Sequence, residues 1–298
     1  MNTHRHLVFA VALAMNTPVF ATDSAISFHF TNDAVLQQLA EGKPPAEAQT
    51  AAAAAWFAQC AAGGEFAQLV GDFAPSAGMT ADERKLQAAK FDNAKFERIA
   101  REAWTKANAA LPQDSMRVCV DLAARDDVFT RDRMDGIMAV TAGKGRIILK
   151  IHPDADWAAS LPYTLAHEMH HSYWTQHHFD ADKAFTLADY LVFEGRADYF
   201  AGSLFAHRAP WTKALDAAGH AAAWDNFSKK LDATDQATLM GSMFGSPQAG
   251  IPMWAGYSVG YKLVSDRMAR APKLDYAAMT AAAAAQFMPE AKTASGKQ

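Results

Sequence analysis

The stretch His167-Glu168-Met169-His170-His171 decides how this chain is read. Wrapped into a helix, positions 167 and 171 lie one turn apart on the same face, so two imidazoles can close on one metal ion. Glu168 is offset by one residue, placed to take a proton from a metal-activated water rather than to bind the metal. His170 faces elsewhere and is expected to be hydrogen-bonded or partly exposed. His177 and His178 fall near the expected end of the same helix, where a histidine suits the dipole, and are not expected to be ligands.

A catalytic zinc site has three protein ligands and leaves a fourth position for water, so two histidines are not enough. The segment Phe193-Glu194-Gly195-Arg196-Ala197-Asp198-Tyr199 supplies the best third candidate. Glu194 follows His171 by 23 positions, room for one turn and a second helix packed against the first. Gly195 and Ala197 are small and would let those two helices approach. Asp198 lies one helical turn beyond Glu194 and is placed to accept the free ring N–H of a ligand histidine, which fixes its tautomer. Hydrolysis also needs a donor for the developing oxyanion. Gly256-Tyr257-Ser258-Val259-Gly260-Tyr261 puts two phenols one turn apart, and either one, or His220, is a candidate.

Upstream of the motif the pattern has period two. Residues 116–120, 136–140 and 145–151 read as strands, the last two joined as a hairpin through 141–144. A strand just ahead of the metal helix matters because an extended substrate can add itself to an exposed sheet edge. The rest reads as helix: 33–40, 46–62, one long helix over 81–110, the motif helix from a Ser160 cap to about 176, then 184–205, 211–231, 258–269 and a last one over 281–285. Residues 240–256, rich in Gly, Met and Pro, read as a loop.

The 298 residues are half apolar and carry a net charge of -4. A folded protein is expected, with no basic stripe to suggest nucleic acid and no stable membrane insertion. The N-terminus has a weakly basic start, an apolar run over 7–15 and small residues ending at Ala21, the pattern of a secretory signal over 1–21. Export to the periplasm or beyond would allow Cys60 and Cys119 to pair, though two buried thiols remain the alternative. Two isolated cysteines are not a zinc ribbon, so the metal case rests on histidine and carboxylate.

H-E-x-x-H followed by E-G-x-A-[DE] on the next helix resembles a bacterial family of predicted zinc-dependent proteases of unknown function, itself similar to the gluzincins. The resemblance covers about Arg146 to Val264 and not the N-terminal hundred residues. It implies one Zn2+ held by His167, His171 and Glu194, with Glu168 as base and Asp198 behind a ligand histidine. It also makes Tyr257 the preferred oxyanion donor. The interval from His171 to Glu194 is close to, not identical with, that of the best-known gluzincins.

The chain is therefore expected to be α+β and mostly helical, a single zincin-like domain over 22–298 with a small sheet before the motif helix. A helical part would span about 22–115 and a catalytic part about 116–288, ahead of a disordered tail over 289–298. The expected activity is peptide hydrolysis in a bacterial envelope or outside it. The alternatives are a non-enzymatic envelope factor on a degenerate scaffold, or a zinc hydrolase of a non-peptide amide.

Overall fold

A computed structural model describes residues 25–75 and 79–289. The leader expected over 1–21 and the tail from 290 lie outside the described residues. In chain order the elements are β1 (Ile26–Phe30), α1 (Thr31–Ala40), α2 (Pro45–Trp56), α3 (Ala81–Ala88), α4 (Asn93–Ala110), β2 (Met116–Leu122) and α5 (Val128–Arg133). There follow β3 (Ile137–Gly143), β4 (Arg146–Ile151), α6 (Trp157–His178), α7 (Leu187–Leu204), α8 (Ala217–Phe227), α9 (Gln236–Phe244), α10 (Ala255–Arg270) and α11 (Tyr276–Ala281). The class is α+β and mostly helical.

The four strands form one mixed sheet in the order β1-β2-β4-β3, with β1, β2 and β4 parallel and β3 antiparallel at one edge. Its alternation explains the layering. Met116, Val118, Val120 and Leu122 of β2, with Ile147, Leu149 and Ile151 of β4, enter the main core under α4 and α6. Cys119 and Ile148, one residue out of phase, enter a smaller core with Trp56 and Cys60 on the opposite face. Strand β2 is buried on both faces except at Arg117, although its sequence alternates.

Strand β1 carries no signal that the sequence reading found. It is recruited as the parallel neighbour of β2, Ile26 opposite Met116, which makes the N-terminal segment part of the same sheet as the motif. The buried Arg84 ties α3 to this region, bonding Asn32 of α1 and Gln49 of α2 and lying 3.8 Å from Asp121 of β2. Cys60, in a π-helical turn that extends α2, is disulfide-bonded to Cys119 of β2 across 59 positions. Closing a loop of that length stabilises by about 4 kcal/mol if the unfolded chain loses the corresponding entropy. Replacing both cysteines by serine is expected to lower the urea midpoint accordingly; an unchanged midpoint would show that the staple contributes nothing.

Several boundaries differ from expectation. The helix expected over 81–110 is two, because Asp92 leaves the helical conformation and caps α4 by accepting from the Lys95 N–H. Residues 240–256 are not all loop: α9 runs to Phe244 and α10 starts at Ala255, which leaves a connection over 245–254. The β3–β4 turn is tighter than 141–144, lying at Lys144-Gly145. Helix α6 starts at Trp157, so Ser160 is not its cap but bonds the Asp135 and Trp157 carbonyls. Pro162 therefore sits beyond the first turn, inside the helix.

Helix α6 is buried almost all round, as a helix in the centre of a fold must be. Helix α7 begins at a reciprocal cap: the Thr186 hydroxyl accepts from the Asp189 N–H, and the Asp189 carboxylate accepts from the Thr186 N–H. This start, eight residues after α6 ends, sets which turn of α7 faces the histidines.

Candidate metal centre

Helices α6 and α7 bring His167, His171 and Glu194 to one point. The two Nε2 atoms are 3.0 Å apart, and Glu194 Oε2 lies 3.2 Å from the first and 3.3 Å from the second. All three residues are buried, between 5 and 7 % exposed. Ligands about 2.0–2.1 Å from a tetrahedral zinc stand about 3.3–3.4 Å from one another, close to these edges. A triangle of these dimensions has a circumradius of about 1.8 Å, so one centre can reach all three atoms at bonding distance. The donor set, two imidazoles and a carboxylate, is one that zinc takes.

The proton positions agree. Asp198 Oδ1 lies 2.9 Å from His167 Nδ1, so Nδ1 is the nitrogen that keeps its proton and Nε2 the one that a cation would take. Burial pushes the His167 imidazolium down, but Asp198, Glu194 and Glu168 outweigh it and lift its pKa well above the usual value. Burial alone would raise the Glu194 carboxyl; His171 and His167 outweigh it and hold it at about 2. Three acidic groups around two imidazoles make a site that favours a cation.

Asp198 is wholly buried, and its Oδ1 also accepts from the Tyr163 hydroxyl at 2.8 Å and from Trp211 Nε1 at 2.9 Å. Neither partner was legible in the sequence, since Trp211 approaches from the segment after α7. Asp198→Asn is expected to weaken zinc binding roughly 10- to 100-fold with the fold intact, as measured by competition with a chelating dye. Equal affinity would remove Asp198 from the site. His171 is oriented differently: its ring stacks on Phe193 at 3.9 Å and 16°, and its Nδ1 has no partner among the described residues.

Glu168 sits beside the triad without joining it. The Thr141 hydroxyl of β3 lies 2.8 Å from Glu168 Oε2 and 2.8 Å from the Glu168 carbonyl oxygen. The strand that touches the base is thus β3, the sheet edge; β4, which directly precedes α6, is internal. Tyr257 lies among Trp211, Trp254 and Phe244, and burial followed by the Glu194 charge raises its phenol well above the ordinary value, so it keeps its proton. Tyr261 lies one turn further along α10, its backbone beside Gly195 of α7. His220 turns its Nε2 to Ser258 at 3.3 Å. His170 is hydrogen-bonded, one of its two expected states, with Nε2 3.0 Å from Thr280 Oγ1, and it is fully buried; His177 and His178 occupy the last turn of α6.

Gly195 works differently from expectation. It contacts not α6 but α10, where a Cβ would overlap the Gly260 carbonyl; a Cβ on Gly260 would in turn overlap the carbonyl of Leu191. This close backbone approach of α7 to α10 adjoins Glu194, so it bears on how that side chain is presented.

The model of a family described as "Predicted Zn-dependent protease (DUF2268)" matches residues 96–289. The chain belongs to this family. The match starts well before Arg146 and takes in most of α4 and the whole sheet except β1. A curated relative, "Uncharacterized protein YjfC" of Bacillus subtilis (strain 168), is 33% identical over 138 residues, 42% of this chain and 45% of the relative. The chain thus spans less than half the length of that relative. No solved structure matches.

Proposed function

We propose that this family member is a zinc-dependent peptidase with a zincin-like, gluzincin-type centre in which His167, His171 and Glu194 hold one Zn2+. The observation that supports it most is the convergence of three buried ligand atoms at 3.0–3.3 Å, with an acid beside them that is not spent as a ligand. Bound there, zinc supplies Lewis-acid polarisation and a lowered water pKa.

The chain's own residues do the rest. Glu168 is held at Oε2 by Thr141, which leaves Oε1 to take a proton from water and return it to the leaving amine. Asp198 holds the His167 proton on Nδ1. Tyr257 donates its phenolic hydrogen to the developing oxyanion. Strand β3 gives an extended substrate an edge to pair with: Gly136 and His152 share a ladder bond, so Ala139 and Thr141 turn their backbone groups outward from β4.

The reading includes a single domain over 22–298, a leader over 1–21, a periplasmic or secreted location and a peptide partner rather than nucleic acid. The Cys60–Cys119 bond supports an oxidising compartment, and no described helix is long and apolar enough to cross a membrane.

The test is zinc content by mass spectrometry beside cleavage of a mixed peptide library. The purified protein is expected to bind one zinc per chain and to lose cleavage on chelation. His171→Ala is expected to lose both metal and activity. Stoichiometric zinc with no cleavage of any library would favour the non-enzymatic envelope factor instead.

A further inference from the structure

A continuous set of rings leads from the centre to the surface. Trp211, which bonds Asp198, lies 6.5 Å from the His167 ring and about as far from Trp254 and Tyr257, at 6.2 and 6.3 Å. Phe244 at the end of α9 meets Trp254 at 5.7 Å and Tyr257 at 5.6 Å, and Phe129 of α5 meets Trp254 at 6.0 Å. Trp211 and Trp254 are buried and Tyr257 is partly so, yet Phe129 and Phe244 are each 40% exposed and Met253 is 47% exposed. Large apolar side chains gathered at a surface mark a contact site.

The backbone here is built to present them. Trp254 has φ +65, a conformation a bulky residue adopts only when its surroundings over-determine it. The connection before it is closed by two bonds between Ser246 and Ile251 and by Gly245 at φ +98, against which the Met253 backbone packs. Phe129 comes from α5, within the β2–β3 connection, and Phe244 from the end of α9, so two separate elements bring their rings onto Trp254. Both reach the residues of the site through Trp254, which packs on Tyr257 at 5.6 Å.

We propose that Phe129, Phe244, Met253 and Trp254 form a substrate subsite that selects a bulky apolar side chain, aromatic or large aliphatic, within about three residues of the scissile amide. The occupant is an extended peptide. The ring path runs directly into the residues around the metal site, and an extended chain advances about 3.3 Å per residue, so successive side chains span the distance from Tyr257 to the outer rings. This inference rests on the peptidase reading for its word "scissile", but not for the binding itself.

The test separates the two. Zinc-loaded Glu168→Gln protein is titrated, by tryptophan fluorescence, with peptides that differ only in carrying Phe, Leu or Ala at one scanned position. At one such position the Phe and Leu peptides are expected to bind about tenfold tighter than the Ala peptide. The Phe129→Ala/Phe244→Ala pair, both sites being exposed, should keep its zinc content and melting temperature while that preference falls below threefold. A preference that survives the pair overturns the proposal. So does a pair that turns a dimer into a monomer in sedimentation with selectivity unchanged, which would make the patch a self-association surface. Ring-dependent binding with no cleavage by the wild-type protein would leave the subsite standing and the peptidase reading fallen. Equal cleavage of Phe and Ala peptides would do the reverse.

Discussion

Glu168→Gln is expected to purify as a folded protein with one zinc ion per chain and a peptidase turnover roughly 10²- to 10⁴-fold below wild type. The substitution keeps shape and volume. Glutamine retains an oxygen for the Thr141 hydroxyl, so the bond of 2.8 Å that now orients the side chain can persist. What it removes is the proton acceptor. Glu168 supplies none of the three ligand atoms, so metal content should not fall. Zinc analysis and single-turnover cleavage on the same preparation decide the matter. Full activity in the variant would refute the assigned mechanism; loss of zinc together with activity would show that Glu168 is a ligand after all.

The second large effect is expected far from any ionisable group. Gly260→Ala should destabilise the protein by at least about 3 kcal/mol, at the upper end of what overpacking costs. The added methyl would meet the backbone carbonyl of Leu191, which sits in the α7 ladder and cannot rotate away as a side chain could. Gly195→Ala meets the Gly260 carbonyl in the same way. Relief requires α7 and α10 to separate, and Glu194 rides on α7 next to the contact. Any variant that folds should therefore bind zinc more weakly as well as melt earlier. Gly71→Ala is the control, since a Cβ there has open space around it. A Gly260→Ala protein with wild-type melting and zinc affinity would show that the helices can shift without cost.

Much of the centre was readable because helical spacing is a local property. His167 and His171 had to share a face once α6 was a helix, and Asp198 had to follow Glu194 by a turn on α7. Period-two alternation located β2, β3 and β4 for the same reason. The misses have a common cause, dependence on distant partners. Strand β1 exists because β2 offers it an unpaired side. The split between α3 and α4 came from one capping aspartate. Tyr163 and Trp211 converge on Asp198 from 35 and 13 positions away, and no spacing rule connects them. Gly195 marks a place of close approach, but its neighbour is α10 and not α6, since smallness says that something comes near and not what.

The amino-acid sequence by itself determined the chemical inventory: two imidazoles on one helical face, an acid beside them, and a second helix bearing Glu194 and Asp198. Only the tertiary structure decided that Glu194 reaches the same point as the histidines, that Asp198 holds His167, that Thr141 of the edge strand holds Glu168, and that Cys60 meets Cys119. The reason is physical. Residues within one helix are related by a fixed rise and rotation, whereas residues on separate elements are related only through packing, here through a glycine contact between α7 and α10 and a sheet completed by the N-terminal strand.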